Sequence, residues 1–378
     1  MARPASDLER KRVNDLFAQL CAISSVSRRE RAVADRVTGE LTALGLEVSE
    51  DAAGKAIGGD TGNLLVRIPG RGERSIFLCA HLDTVEDHGT PIEPVLEEGL
   101  WTNSTDAILG ADNKAAVAVL LALAHRVALE GSPVGLELLF TVCEEDGLKG
   151  AAEFDISALR SEYGFVYDHA SPIGEVVMAS PTYFHLEAEF RGKAAHAGIR
   201  PEAGANAIVA AARAISAMRL GRVDEQTTAN IGGIDGGGSS TNVVAERCVL
   251  RAETRSLTEE RAEAQLAEMI DHCQDAANDP SASCDLDVTV VKHFDGYRHK
   301  ANAPQVAAIE AALAACGFTP SRIETGGGSD ANVFEAAGLP CTNVANGTDR
   351  NHQPDESVSS QALESMLDVT LALLDTAA

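Results

Sequence analysis

A pair of adjacent acids, Glu144-Glu145, closes the apolar run Leu138-Leu139-Phe140-Thr141-Val142-Cys143. Two carboxylates at the end of a buried strand are costly to hold unless a cation neutralises them. Upstream stand His81-Leu82-Asp83 and Gly110-Ala111-Asp112-Asn113-Lys114, each following or opening an apolar run. Downstream stand Asp168 and His352. Imidazoles and carboxylates spread along the chain, but each placed at the end of an element, are the donor set that two-metal hydrolysis uses. Any one of them has an ordinary structural explanation; Asp112 could simply cap the helix it precedes, through the N–H of Lys114 or Ala115. The metal reading is favoured because several candidates share the same kind of location. Asp83 lies two residues past His81, points the same way in an extended chain, and could orient the imidazole. His169 adjoins Asp168 but would point to the opposite side of an extended strand.

These residues need a scaffold, and the 378-residue chain is long enough for two domains with a sizeable core. Hydrophobic residues make up 45% and charged residues 23%, the balance of a soluble globular protein. The net charge of -26 opposes binding to nucleic acid or to an anionic membrane, which need basic patches. The polar start, Met1 to Arg10, is expected of a chain without a secretory signal, and the longest apolar stretch, Ala115 to Ala124, is too short to span a bilayer. The expected location is the cytoplasm. The eight cysteines contain no C-x-x-C pair and are expected to be free and buried, Cys79 and Cys143 as small strand residues beside the candidate donors.

The first part of the chain alternates helix and strand. Helical periodicity covers Asp7 to Ala18 and Arg28 to Leu44, and Ser27 with Glu30 predicts a capping box for the second helix. Strands are predicted at Asn63 to Ile68, Ser75 to Ala80, Gly135 to Val142 and Gly164 to Tyr167, with a largely apolar helix at Asn113 to Leu129. Buried strands separated by helices imply an α/β domain with a mostly parallel sheet. Near Pro181 the pattern changes. Strands at Tyr183 to Arg191, Thr227 to Gly232, Arg247 to Arg255 and Asp285 to His293, with helices at Ala205 to Arg219 and Thr258 to Ala276, give a β-α-β-β-α-β order. That order is ferredoxin-like, an antiparallel sheet with both helices on one face. The α/β pattern resumes with helices at Ala303 to Cys316 and Asp330 to Ala337 and a strand at Pro340 to Val344. A small domain, about 181–293, is therefore inserted between segments 1–180 and 294–378 of a larger one.

His81-x-Asp83, Gly110-Ala111-Asp112-Asn113-Lys114, Glu144-Glu145, Asp168 and His352 together resemble the M20 family of co-catalytic zinc peptidases, most closely its tripeptidase T-like branch. The likeness covers about residues 8–377. It implies a zinc-peptidase catalytic domain with an inserted lid, and two Zn2+ per chain, with Co2+ or Mn2+ as other candidates. By the resemblance, His81 and Asp168 hold one zinc, Glu145 and His352 the other, and Asp112 bridges them. Glu144 is the general base and Asp83 the partner of His81. Of two adjacent carboxylates, one then neutralises metal charge and the other stays free to move a proton. His196, in Gly192 to Gly198, would stabilise the developing oxyanion, sometimes from a partner subunit, and a homodimer through the lid is left open. Asn242 and Arg255 resemble positions that contact the peptide's backbone and terminal carboxylate.

Two glycine-rich stretches, Ile231 to Thr241 and Thr325 to Asn332, lack the endings of phosphate-binding loops. Gly326-Gly327-Gly328-Ser329 opens a helix, so its N–H groups could hold an anion, and the resemblance makes it a substrate-contacting loop. The expected activity is an exopeptidase acting on short peptides. Asp168 rather than Glu tilts the resemblance toward aminopeptidases, with an N-acyl-amino-acid deacylase or other amidohydrolase as the alternative. A metal-free, non-catalytic dimer is opposed by the complete donor set.

Overall fold

The computed structural model describes residues 3–378. The chain divides into two units. The first runs to Met178 and takes in Arg298–Glu324 and Ser329–Ala378; the second is Ala179–Tyr297 with Thr325–Gly328.

In the first unit the apolar runs become the centre of a sheet. Four parallel strands lie side by side in the order Gly135–Thr141, Ser75–His81, Tyr163–His169, Cys341–Ala345. Gly135–Thr141 is buried throughout and Ser75–His81 at every residue but the first, as befits strands covered on both faces. The expected parallel arrangement holds at this centre and gives way outside it. Leu64–Ile68 and Val48–Glu50 add antiparallel on one side, and Glu175–Ser180 pairs antiparallel with Cys341–Ala345 through Val176 and Val344 on the other.

A parallel neighbour needs a long crossover, and helix Ala111–Glu130 supplies it between Ser75–His81 and Gly135–Thr141. From Ala115 to Ala124 every residue of that helix is buried. It packs against helices Asp7–Cys21 and Ser360–Thr376. The C-terminal helix was not among the predicted elements. Neither was a small antiparallel sheet of Thr348–Asp349, Ser357–Ser359, Leu100–Asn103 and Pro94–Glu97.

The predicted capping box does not form. The helix starts at Arg31 with Glu30 at its N-cap and no side-chain cap bond. Ser27 Oγ instead donates to Asp83 Oδ2 at 2.6 Å, and the Glu30 carboxyl accepts the N–H groups of Arg28 and Cys143. The Glu30 carboxyl is taken by a neighbouring and a long-range main-chain donor in place of the Ser27 N–H that the box requires.

The second unit holds a five-stranded antiparallel sheet in the order Gly221–Arg222, Thr227–Gly236, Arg247–Ser256, Thr182–Arg191, Asp285–Phe294. Helices Ala207–Ala217 and Glu259–Asn278 pack against it. Phe184, Leu186, Ala188 and Phe190 join the helices in one core, while Tyr183, His185, Glu187 and Glu189 alternate with them on the other face. This is the predicted ferredoxin-like order with one two-residue strand added. All eight cysteines are free, and Cys316 alone is less than fully buried. No helix among the described residues is long and apolar enough to cross a membrane.

Candidate metal centre

Three neighbouring parallel strands end on the same edge of the first unit's sheet, and loops at such an edge present side chains on a rigid support. His81 is the last residue of Ser75–His81, paired in register with Thr141. The turn Val142 to Glu145 follows Thr141, and Asp168 comes one residue before the end of Tyr163–His169. Asp112 lies at the start of Ala111–Glu130 but keeps non-helical angles, as does Asn113, and the peptide between them is cis. The Asp112 carboxylate makes no side-chain cap bond to the helix and meets the imidazoles and Asn351 instead. His352 stands in a turn with φ of 67°.

The structure brings these side chains together. His81 Nε2 lies 3.3 Å from Asp112 Oδ1 and 3.6 Å from Asp168 Oδ1. His352 Nε2 lies 2.9 Å from Glu145 Oε1 and 3.4 Å from Asp112 Oδ2. Two groups of donor atoms, each within 4.8 Å of one another, are His81–Glu144–Asp168 and His81–Asp112–Glu145. These contacts are close but poorly aligned. His81 Nε2, Asp112 Oδ1 and Glu145 Oε1 are buried and make no hydrogen bond of proper geometry. Buried polar atoms are normally satisfied, so orphaned atoms facing one another fit a missing partner.

Protonation tells the same story. Burial and the Asp168 charge hold Glu144 well above the ordinary carboxylate range. Burial and the Asp112 charge push Asp168 up to about 7. Burial raises Glu145 against the pull of His352. Burial opposes a charged His81, yet Asp112, Asp168 and Asp83 hold its pKa well above that of a free imidazole. Contacts with Asp112 and Glu145 push His352 up to about 10. Burial would raise Asp112 too, but the two imidazoles prevail and bring it down. Fully ionised, four carboxylates against two imidazoles would carry an excess of negative charge, which together with burial is why three of the carboxyls hold protons more tightly than usual, and the N/O donor set suits zinc or a similar divalent cation.

A layer of buried polar groups lies behind the donors. The Asp83 main-chain oxygen takes His81 Nδ1 at 2.9 Å, which leaves Nε2 as the atom available to a cation. The Asp83 carboxylate stands 3.5 Å from Nδ1 and accepts the N–H groups of Glu144 and Glu145 at 2.9 and 3.1 Å. Its main work is thus on the acids' backbone.

Sequence reasoning missed Glu356, Asn351, Lys114 and Asp330. Glu356 accepts from the Gly110 and Asp112 N–H groups at 2.7 and 2.9 Å, and burial pushes it up to about 7. Asn351 donates to Asp112 Oδ2 at 2.7 Å. Lys114 is fully buried and donates to the Ile23 carbonyl at 2.5 Å. Asp330 accepts from Thr141 Oγ1 at 2.5 Å, and burial pushes it up to about 6. An Asn beside a candidate His, and a Lys two residues past a candidate Asp, were visible signals; Glu356 and Asp330 carried none.

The remaining candidates are placed as follows. His169 is half-buried, and burial lowers its pKa. In the second unit His196 forms a bridge with Val243, and the Ala197 N–H donates to the Asn242 carbonyl at 2.9 Å, so His196 and Asn242 lie on adjacent segments. His196 Nδ1 accepts from the Gly198 N–H at 3.2 Å. Arg255 lies 4.3 Å over the Tyr183 ring, pairs with Glu253 at 3.1 Å, and reaches the Gly326 carbonyl at 3.5 Å. Arg255 and the glycine loop are therefore neighbours. A Cβ on Gly328 would meet the Phe294 ring at 2.2 Å, so only glycine fits there. The loop's N–H groups are not a free anion cradle: those of Gly327, Ser329 and Ala331 bond to Thr325, Asn332 and Ser329.

Comparisons with known proteins bear on the family. The peptidase dimerisation domain model M20_dimer matches residues 182–280, and Peptidase family M28 matches residues 63–168. The uncharacterized protein YqjE of Bacillus subtilis (strain 168) is 35% identical over 97% of this chain and 99% of its own. The crystal structure of aminopeptidase PepT from Bacillus cereus ATCC 10987 superposes with a TM-score of 0.86 at 34% identity, covering 97% of this chain and 98% of that one. A tripeptidase from Staphylococcus aureus subsp. aureus mu50 gives a TM-score of 0.91 at 31% identity, again over 97% and 98%. The M28 match is confined to the stretch from before His81 to Asp168, whereas the peptidase relatives span the whole chain, and on them the chain belongs to the M20 family of metallopeptidases, close to its tripeptidase T-like branch.

Proposed function

We propose that this peptidase is a co-catalytic dizinc exopeptidase that hydrolyses short peptides in the manner of an aminotripeptidase. One observation carries the reading: Asp112 offers one oxygen to each imidazole, at 3.3 and 3.4 Å, with Asp168 beside His81 and Glu145 beside His352. His81 and Asp168 would hold one cation, Glu145 and His352 the other, with Asp112 between them. Two divalent cations bound there would acidify a water and polarise the scissile carbonyl.

Glu144 takes a proton from that water and hands it to the leaving amine nitrogen as the C–N bond breaks. Asp83 keeps Glu144 and Glu145 in place by their N–H groups. The roles carried by the resemblance to His196, as donor to the developing oxyanion, and to Asn242, Arg255, Gly327, Gly328 and Ser329, as substrate contacts, are part of the same proposal. So is the reading of 181–293 as a lid inserted between catalytic segments 1–180 and 294–378. The aminopeptidase and tripeptidase relatives support a free N-terminus as the feature recognised.

The test is a panel of free tripeptides, dipeptides and N-acylated amino acids given to zinc-loaded protein. Release of the N-terminal residue from free tripeptides is expected, with two metals per chain by elemental analysis. Cleavage restricted to N-acylated substrates would transfer the site to a deacylase, and at most one metal in fully loaded protein would overturn the dinuclear reading.

A further inference from the structure

The turn that carries the paired acids leaves the strand ladder, and its four successive N–H groups are all taken by side chains from elsewhere. Val142 N–H bonds to Asn63 Oδ1 at 3.1 Å and Cys143 N–H to Glu30 Oε1 at 3.0 Å. Those of Glu144 and Glu145 bond to the two oxygens of Asp83. Cys143 itself has φ of 56°, a left-handed conformation that a non-glycine residue holds only when its surroundings impose it. Its side chain is fully buried among these contacts.

Glu30 is the acceptor at that strained residue. It is completely buried, and its one bonded oxygen accepts both the Cys143 N–H and, at 2.8 Å, the Arg28 N–H. Its segment makes two further contacts, one to Asp83, which holds the turn, and one just past the paired acids. Ser27 Oγ donates to Asp83 Oδ2 at 2.6 Å, and Arg28 pairs with Asp146 at 2.5 Å. Glu30 thus holds the turn directly, from 113 positions away in sequence, while Ser27 holds it through Asp83 and Arg28 pairs with Asp146 beyond it.

We infer that Glu30 is a positioning residue for the reaction: through the Cys143 N–H it fixes the backbone turn that directs Glu144 at the reacting water. The inference rests on the proposed role of Glu144. A side chain one peptide unit from the proton-transferring carboxyl controls its direction, and a misplacement of about 1 Å can cost on the order of a hundredfold in rate. Asp83 holds both acids by their N–H groups, but Glu145 lies one residue further from Cys143 and has its own contact with His352, so metal content is expected to be less sensitive to Glu30 than kcat.

Kinetics of metal-loaded wild type, Glu30→Ala and Glu30→Gln on a cleaved tripeptide test this. Glu30→Ala is expected to lower kcat by roughly ten- to a hundredfold, with KM within about threefold and metal content unchanged. Glu30→Gln, whose amide oxygen accepts the same two N–H groups, should recover to within about fivefold of wild type. A helix-capping role would lower the melting temperature and leave kcat alone. An unchanged kcat in Glu30→Ala, equal damage in Glu30→Gln, or a loss of rate matched by loss of metal would each overturn the inference. Should Glu30→Ala fail to fold, Glu30→Asp decides, since its shorter side chain keeps the charge but draws back from the Cys143 N–H: kcat should drop about fivefold or more with metal content held, and an unchanged kcat would overturn the inference. A wild type that cleaves no peptide removes the proposed function and this inference together. An active wild type indifferent to these changes removes this inference alone.

Discussion

Charged groups in the two units live under opposite conditions. At the strand ends of the first unit they are buried, they outnumber their partners, and three of their atoms lack a hydrogen bond. On the outer face of the second unit's sheet they are paired across strands. Glu187 meets Arg251 at 3.2 Å, Glu189 meets Arg247 at 2.7 Å, and Arg191 meets Asp287. Most of these side chains stand substantially in solvent, where such pairs add little to stability. A satisfied, exposed set of charges explains itself by solubility. An unsatisfied, buried set calls for something further, and the proposed dications would supply the charge and the directions required. The proposed donors thus have geometry in their support, whereas the proposed role of Arg255, already paired with Glu253, leans on resemblance.

The sharpest way to break this contrast is within the acid pair. Glu144→Gln should keep both metals and lose kcat by on the order of 10²–10⁴-fold, the usual worth of a general base. Glu145→Gln should instead lower metal content, because Glu145 Oε1 is an orphaned atom beside His352. If elemental analysis found a depleted site in Glu144→Gln and full occupancy in Glu145→Gln, the two roles would be exchanged.

Next in size is the effect of the cations on stability. A ligand at a hundred times its Kd stabilises a folded protein by about 2.7 kcal/mol. Zinc-loaded protein should therefore melt several degrees above chelator-treated protein, and the increment should shrink in Asp112→Asn, which weakens the donor shared by both imidazoles. Equal melting of loaded and stripped wild type would mean that the orphaned cluster is not a cation site.

The same contrast explains what the sequence disclosed. Every donor of the proposed centre was legible, because acids and histidines after apolar runs stand out against their neighbours. The second unit's alternation was equally plain: Phe184, Leu186, Ala188 and Phe190 announce a half-buried strand. The layer behind the donors was hidden, since its partners are main-chain N–H groups far away in sequence. Ser27 and Glu30 have the spacing of a local cap, and no local rule says that the donor is Cys143 instead. The C-terminal helix is a different case. Leu363, Met366, Leu367, Thr370, Leu371 and Leu374 recur at helical spacing and are buried, so its signal was present. Of the antiparallel edge strands, Leu64–Ile68 was expected as a strand, though not its direction, whereas the short Val48–Glu50 and Glu175–Ser180 were not among the predicted elements.

Smaller effects probe the second unit. If Arg255 and the neighbouring Gly326 loop receive a substrate carboxylate, C-terminal amidation of a tripeptide should lower kcat/KM by about tenfold, and Arg255→Ala should remove most of that penalty. The expected effect is modest because Arg255 must leave Glu253 to engage a substrate, exchanging one carboxylate for another. Equal turnover of free and amidated tripeptides by wild type would return Arg255 to the class of paired surface charges.

The smallest expected effect is at Arg251, and it tests the exposed side of the contrast. Its partner Glu187 lies on the adjacent strand, and both side chains are more than two-fifths exposed. Removing one partner of such a pair leaves the other hydrated rather than stranded, so Arg251→Ala should change stability by no more than about 0.5 kcal/mol and leave kcat and KM alone. The change removes a cross-strand contact on the sheet face opposite the helices, away from the apolar core of Phe184, Leu186, Ala188 and Phe190. Denaturant melts and peptide kinetics read both quantities. A loss several times larger, or one that varied with protein concentration, would mean that this face is covered in solution by another chain. The pairs across it would then belong to an interface, where truncating one charge strands the other, and the face could no longer stand as the solvated counterpart of the buried centre.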